Sequence, residues 1–254
     1  MTEINATDIV ARATTGMLQS LSIPDVWRVF GDAMEEFRFD KLLYGGTRFP
    51  SRGSFGHIDE ALILHRGPQA YADIYLEEEL YLHSPTYEWA ENHNGFASWP
   101  QAFAQYAAAP TPQQLRIVQL NMQFGVTAGY VGSLKDVVPN MNGVIGFSPI
   151  AGMDQAAADA LWAVHGADIE TLCNLMHLRI AALPQTGQLR PLTTRQRETL
   201  EWASLGKTTQ DIATILGLSV ATVEKHLKMA RDALEAQTTA HAVKKATALN
   251  LLTA

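Results

Sequence analysis

Between Pro24 and Phe39 the apolar residues recur at helical spacing, with Trp27, Phe30, Met34 and Phe37 forming one stripe, which predicts a helix. The segments "KLLYGG" (41–46) and "ALILHR" (61–66) read as short strands around a Gly-rich loop. Residues 71–92 read as helical, and Pro112–Phe124 as a helix. "GVTAGYV" (125–131) and "GVIGFSP" (143–149) read as paired strands, followed by a long Ala- and Leu-rich helix over Asp154–Leu183. Helices alternating with strands in this way predict an α/β/α sandwich, with helices on both faces of a sheet.

"AALPQTGQLRPLTT" interrupts the pattern, with Pro184, Gly187 and Pro191 as breakers. The expected division is residues 1–183, a linker at 184–191 and a second domain at 192–254. Beyond the linker the pattern is wholly helical, so the chain as a whole reads as α+β. Thr193 or Thr194 can cap a helix carrying Leu200, Ala203 and Leu205 that stops at Gly206. Thr208 or Thr209 can cap a second, with Ile212, Ala213 and Leu216 inward, and Gly217 follows as a tight turn requires. Ser219 then caps a third, whose inner stripe is Val223, Leu227, Ala230 and Leu234. Its other face presents Ala221, Thr222, Glu224, Lys225, Lys228 and Arg231. A fourth helix, at about 240–252, carries Val243, Ala246 and Leu249. A helix, a Gly turn and a helix with a cationic, small-residue outer face fit a helix-turn-helix, whose second helix enters the DNA major groove. A solvated charged face on a helical bundle has the same pattern.

Charge adds a division by position. The net charge is −7, yet residues 190–254 carry 9 Lys+Arg against 6 Asp+Glu, and the preceding 189 carry 10 against 20. A small basic module joined to an acidic one needs only the module to meet phosphate. The single cysteine, Cys173, excludes an internal disulfide framework, suits a reducing cytoplasm, and falls in an apolar helical pattern as a core residue. No apolar run is long enough to span a membrane, and the start of the chain lacks the basic-then-apolar signature of a secretory signal. Neither a glycine-rich nucleotide-phosphate loop, a hydrolase nucleophile elbow nor a zinc-protease His pair occurs, so no enzyme, metal or cofactor is expected.

The run "LTTRQRETLEWASLGKTTQDIATILGLSVATVEKHLKMARDAL" resembles the DNA-binding domain of the LuxR family. Leu192, Arg195, Leu200, Gly206, Lys207, Ile212, Ala213, Ser219, Thr222, Val223 and His226 carry the resemblance. One departure is Gln196, where a glutamate is common. The resemblance implies that Glu224, Lys225 and Lys228 face base edges, and that Lys207, Thr208, Thr209 and Thr222 meet phosphate. Glu224 either accepts from cytosine N4 or is a spacer paired with Lys228. His226 is expected on the core side.

In "YADIYLEEELYLHSPTYEWAENHNGFASWP", Tyr71 and Tyr75 stand one helical turn apart, Tyr87 and Trp89 follow, and Trp99 closes the segment. Aromatics with polar tips suit a pocket that buries an acyl chain and orients a polar head, or they pack the sandwich. The segment is similar to the acyl-homoserine-lactone-binding domain of quorum-sensing LuxR-type regulators, with Tyr75, Pro85 and Trp99 in register. "FGVTAGYVGSL" resembles the family's Gly-containing strand pair through Gly125 and Gly129. The departures fall at the head group. The family's tryptophan donor is Tyr71, its aspartate acceptor is Ser84, and an upstream tyrosine is Gly67. Three readings stay open: a lactone held differently, another amphipathic small molecule, or a domain that folds and dimerises or docks a protein without ligand. The resemblance as a whole implies a homodimeric transcription regulator acting on a pseudo-palindromic DNA site.

Overall fold

The computed structural model describes residues 4–49, 58–104, 110–185 and 189–252, and the chain forms two compact units, Met1–Ala181 and Ala182–Ala254. Most of the Gly-rich loop after the first strand, and Gly187 of the linker, lie outside the described residues.

In the first unit α1 (Ala6–Gln19) and α2 (Ile23–Glu36) precede β1 (Phe39–Thr47) and β2 (Leu62–Arg66). Then come α3 (Gln69–Glu77), a 3-10 turn (Leu80–His83), α4 (Pro85–Asn92), β3 (Gly95–Ser98), α5 (Trp99–Phe103) and α6 (Pro112–Phe124). The unit ends with β4 (Tyr130–Ser133), β5 (Asn142–Pro149) and α7 (Gln155–Ala182). The strands form one antiparallel sheet in the order β2-β1-β5-β4-β3.

Side chains alternate across the sheet, and its two faces differ. One face carries Tyr44, Ile145 and Phe147, all fully buried under α2 and α7. Trp162 of α7 stacks on Tyr130 at 4.1 Å and on Phe147 at 5.8 Å, and Tyr44 meets His177 through a 2.8 Å hydrogen bond to Nδ1. Arg179 donates to the carbonyls of Met17 and Ser20, which fastens α1 to α7. The other face carries Leu43, Gly45, Val131, Val144 and Gly146, half-buried apart from the enclosed Val131, under the helices that follow β2. Cys173 is fully buried, and its burial pushes the thiol well above its ordinary range.

Several boundaries differ from the sequence reading for local reasons. Arg38 at φ 65° ends α2, so Phe39 opens a strand. The helical region 71–92 is three pieces. Glu79 at φ 51° breaks the first, and Pro85 starts the last at a position where a missing N–H costs nothing. Gly125 is the left-handed cap of α6, and the following strand begins only at Tyr130. The sequence reading missed α1, β3 and α5.

The second unit holds α8 (Thr194–Ser204), α9 (Thr209–Leu216), α10 (Val220–Ala233) and α11 (Thr239–Ala248). Leu200, Ile212, Val223, Ala230, Leu234 and Ala246 are fully buried in its core. Leu205 is 68% exposed, because it lies past the last turn of α8 rather than on its inner stripe. Gln196 answers its own departure. It forms a reciprocal capping box with Thr193, which a glutamate would also make.

Candidate functional site

The helix-turn-helix is built by its caps. The Thr208 side chain accepts from the Asp211 N–H and its hydroxyl donates to the Asp211 carboxylate at 2.7 Å, holding that carboxyl below its usual range. Gly217 at φ 65° makes the turn, and Leu218 N–H returns to the Ala213 carbonyl at 2.9 Å. Ser219 caps α10 and its hydroxyl also meets Thr222 Oγ1 at 2.8 Å. With Val223, Leu227 and Ala230 turned inward, Ala221, Glu224, Lys225 and Lys228 stand exposed on the opposite face. Lys207 and Thr208 are exposed nearby, and Thr209 and Thr222 are half-buried. Among the described residues no ion pair joins Glu224 to Lys228. Arg231, placed on the outer face from sequence, donates to Thr239 Oγ1 and ties α10 to α11. His226 is half-buried, with a buried and unpartnered Nδ1.

In the first unit, two cavities adjoin on the half-buried face of the sheet. The first, about 90 Å³, is lined by His65, Tyr71, Tyr75, Thr86, Trp99 and Phe147 among others. The second, about 100 Å³, reaches Ile63, Tyr81, Tyr87, Val131 and Val144. Leu43, Tyr75, Thr86 and Gly146 line both, so the Tyr75 side chain stands between them. Gly146 helps to open this space, since a Cβ placed on it would meet nothing within 4 Å. Tyr71 and Tyr75 stack at 5.7 Å, and the Tyr71 hydroxyl donates to Asn121 Oδ1 at 2.9 Å. Burial pushes the Tyr75 phenol up to about 12, with a hydrogen bond to Ser84 acting the other way. Burial likewise raises Tyr71 and Tyr87 well above the ordinary phenol range.

Tyr71, Tyr75, Tyr87 and Trp99 are thus brought together, and three other expected residues are not. Ser84 lies buried with its hydroxyl 2.8 Å from Thr86 Oγ1, and it lines neither cavity. Pro85 lines an outer groove of about 410 Å³ that also takes in Phe103, Leu115, Val118 and Met122. Trp99 and Val126 form part of both this groove and the first cavity. Gly129 lines none of the three. A Cβ there would stand 2.2 Å from the Phe147 carbonyl oxygen and 3.0 Å from the Trp99 indole, so glycine lets the strand and the tryptophan close up. The sequence reading missed His65, Lys41 and Arg66, all at the β1–β2 end of the first cavity.

The model of the autoinducer binding domain matches residues 22–180, and that of the bacterial regulatory proteins of the luxR family matches 190–246. RpaR, a quorum sensing-dependent transcriptional regulator of Rhodopseudomonas palustris, is 29% identical over 92% of this chain and 91% of its own. The transcriptional activator BjaR1 of Bradyrhizobium diazoefficiens is 23% identical over 87% and 86%. The crystal structure of Escherichia coli SdiA has the same fold, with TM-score 0.53, 17% identity, and 98% and 99% of the two chains covered. No helix among the described residues is long and apolar enough to cross a membrane. The chain belongs to the LuxR family: it is a quorum-sensing transcriptional regulator with an autoinducer-binding domain followed by a luxR-type DNA-binding module.

Proposed function

We propose that this regulator acts in the cytoplasm as a homodimer on a pseudo-palindromic DNA site, under the control of an acyl-homoserine lactone or another amphipathic small molecule. It works by binding and not by turnover. The observation that carries the ligand reading is the pair of cavities meeting at Tyr75, because protein interiors otherwise close-pack to few voids larger than a water. Tyr71, Tyr75, Tyr87 and Trp99 supply apolar walls with polar tips, as an acyl chain with a polar head requires. Ser84 and Pro85 support the walls from behind, and Gly129 lets Trp99 seat. On the DNA side, Lys225, Lys228 and Glu224 meet base edges, and Lys207, Thr208, Thr209 and Thr222 meet phosphate, with half-sites about one helical turn apart. Dimer contacts come from α7, whose Val164 is 72% exposed, and from α11.

A second reading has its own support. The cavities are small, and Tyr71 and Ser84 already have partners in Asn121 and Thr86, as in a domain that folds and dimerises without ligand.

The test is mass spectrometry of an organic extract of the protein expressed with and without a panel of acyl lactones, paired with gel shifts. A stoichiometric lactone that changes DNA affinity is expected. An empty dimer whose DNA binding ignores every lactone would leave the ligand-independent reading. Hydrolysis of any lactone in a turnover assay would overturn the non-enzymatic one.

A further inference from the structure

The outer groove is larger than either cavity and shares a wall with the first of them. We propose that it receives the far end of the ligand's alkyl chain, so that the signal is an amphiphile with an unbranched tail longer than octanoyl. This rests on the reading that the first cavity binds the polar end of a small molecule.

The helix α6 is apolar on two sides. Ile117 and Leu120 turn inward and are buried. Leu115, Val118 and Met122, at i, i+3 and i+7, form a second stripe that looks into the groove. With Phe103 of α5 they are between 41% and 69% exposed. An apolar stripe left open in this way marks a surface that something covers. At about 410 Å³ the groove has the size of a small-molecule site. A protein partner would have to bury about 800 Å² on this side, beyond what four half-exposed side chains present.

Continuity with the first cavity identifies the occupant. Trp99 and Val126 line both spaces, and the Tyr71 hydroxyl on the cavity side donates to Asn121 on the groove side at 2.9 Å. A chain that outgrows the first cavity has two ways on. Towards the second cavity it meets Tyr75, which is buried, stacked on Tyr71 and hydrogen-bonded to Ser84. Towards the groove it meets Trp99, which is half-buried and tilted against Phe103, itself exposed. Among the described residues no hydrogen bond holds the Trp99 indole. Displacing Tyr75 breaks a buried hydrogen bond and opens only about 100 Å³. Displacing Trp99 breaks none and opens about 410 Å³.

The test uses the full-length protein, calorimetry and three probes: the N-hexanoyl, N-octanoyl and N-dodecanoyl homoserine lactones. A methylene buried on all sides strengthens binding about fourfold, and one covered on one side only about twofold. The dodecanoyl lactone is therefore expected to bind the wild type about fifteenfold more tightly than the octanoyl one. The double variant Val118→Glu, Met122→Gln changes two exposed positions to residues that suit a helix, so the fold is kept. It should bind the hexanoyl lactone as the wild type does and lose the dodecanoyl advantage. A nitroxide at the tail end of the dodecanoyl chain should broaden the methyl NMR signal of Met122 and leave that of Ile63, in the second cavity, sharp. Broadening of Ile63 alone, or an advantage undiminished in the double variant, would put the tail past Tyr75 and overturn the proposal. Wild type that binds the shorter lactones with no gain from the longer chain would overturn it and leave the ligand reading standing. Binding of no lactone would sink both.

Discussion

Gly146→Val separates the cavity's function from its contribution to stability. The residue lies on β5 facing both cavities, its backbone is not in the left-handed region, and an added Cβ meets nothing within 4 Å. Valine adds three carbons to a space of about 90–100 Å³ on either side of Tyr75. Burying them contributes at most roughly 2 kcal/mol, at about 0.8 kcal/mol for each carbon. Replacing glycine within a strand adds about 0.5–1 kcal/mol. Contacts of the γ-methyls with Leu43 and Thr86 take some of this back, leaving a net gain of about 1–2 kcal/mol. For a unit of this size that raises the melting temperature by roughly 2–8 °C. Differential scanning calorimetry of the full chain should find the transition of the first unit raised. Titration with an acyl lactone should find its binding lost. A variant that melts lower would show that this space is not empty, and one that binds the lactone as tightly as the wild type would show that it is not the ligand's.

Gly129→Ala is the opposite case. Its Cβ runs into the Phe147 carbonyl, so a loss of about 2–4 kcal/mol is expected from overpacking and backbone strain, read as a lowered urea midpoint for the first unit. Lys225→Ala or Lys228→Ala should abolish discrimination between operator and scrambled DNA in gel shifts while the dimer persists by light scattering; undiminished discrimination would refute the base contacts. His177 is buried and its pKa is lowered to about 4 from 6.5, chiefly by desolvation. The unfolded chain therefore takes up this proton first, and stability present above pH 6.5 is lost as pH falls towards 4, by roughly 3 kcal/mol in all. Urea midpoints across that window should slope less in His177→Gln than in the wild type; equal slopes would remove His177 from the acid response.

The helices of the second unit were legible in the sequence because one periodicity decides which face of α10 turns inward, whereas their DNA-binding role came from the resemblance. Val223, Leu227, Ala230 and Leu234 all turned inward, and their spacing left Glu224, Lys225 and Lys228 outside. The first unit was less so. The break at Glu79 uses a left-handed residue that is not glycine, and nothing in the composition marks it. The strand Gly95–Ser98 has four residues, too few to display alternation. Tyr75 and Trp99 were found as aromatics in register, but Ser84 and Gly129 act behind the cavity wall, a distinction that depends on which way each side chain turns. His65 did leave a trace. His65, Gln69 and Asp73 recur every fourth residue, but the run crosses from a strand into a helix, where that spacing has no fixed meaning until the fold is known.

The polar groups around the cavity are unequal in what they can offer a ligand. One that takes the Tyr71 hydroxyl must first part it from Asn121, exchanging one hydrogen bond for another at little net gain. An octanoyl tail that buries about six methylenes contributes roughly 5 kcal/mol. A micromolar ligand needs about 8 kcal/mol, before the cost of immobilisation. Exchanges cannot supply the difference, so it has to come from further apolar burial by the rest of the ligand or from polar groups that it pairs anew. The tail has a condition of its own. Neither cavity alone, at about 90 and 100 Å³, leaves room for such a chain, so it would run on either past Tyr75 into the second cavity or past Trp99 and Val126 into the outer groove. On the first route the Tyr75 ring, stacked on Tyr71 at 5.7 Å, is the part of the wall that has to move.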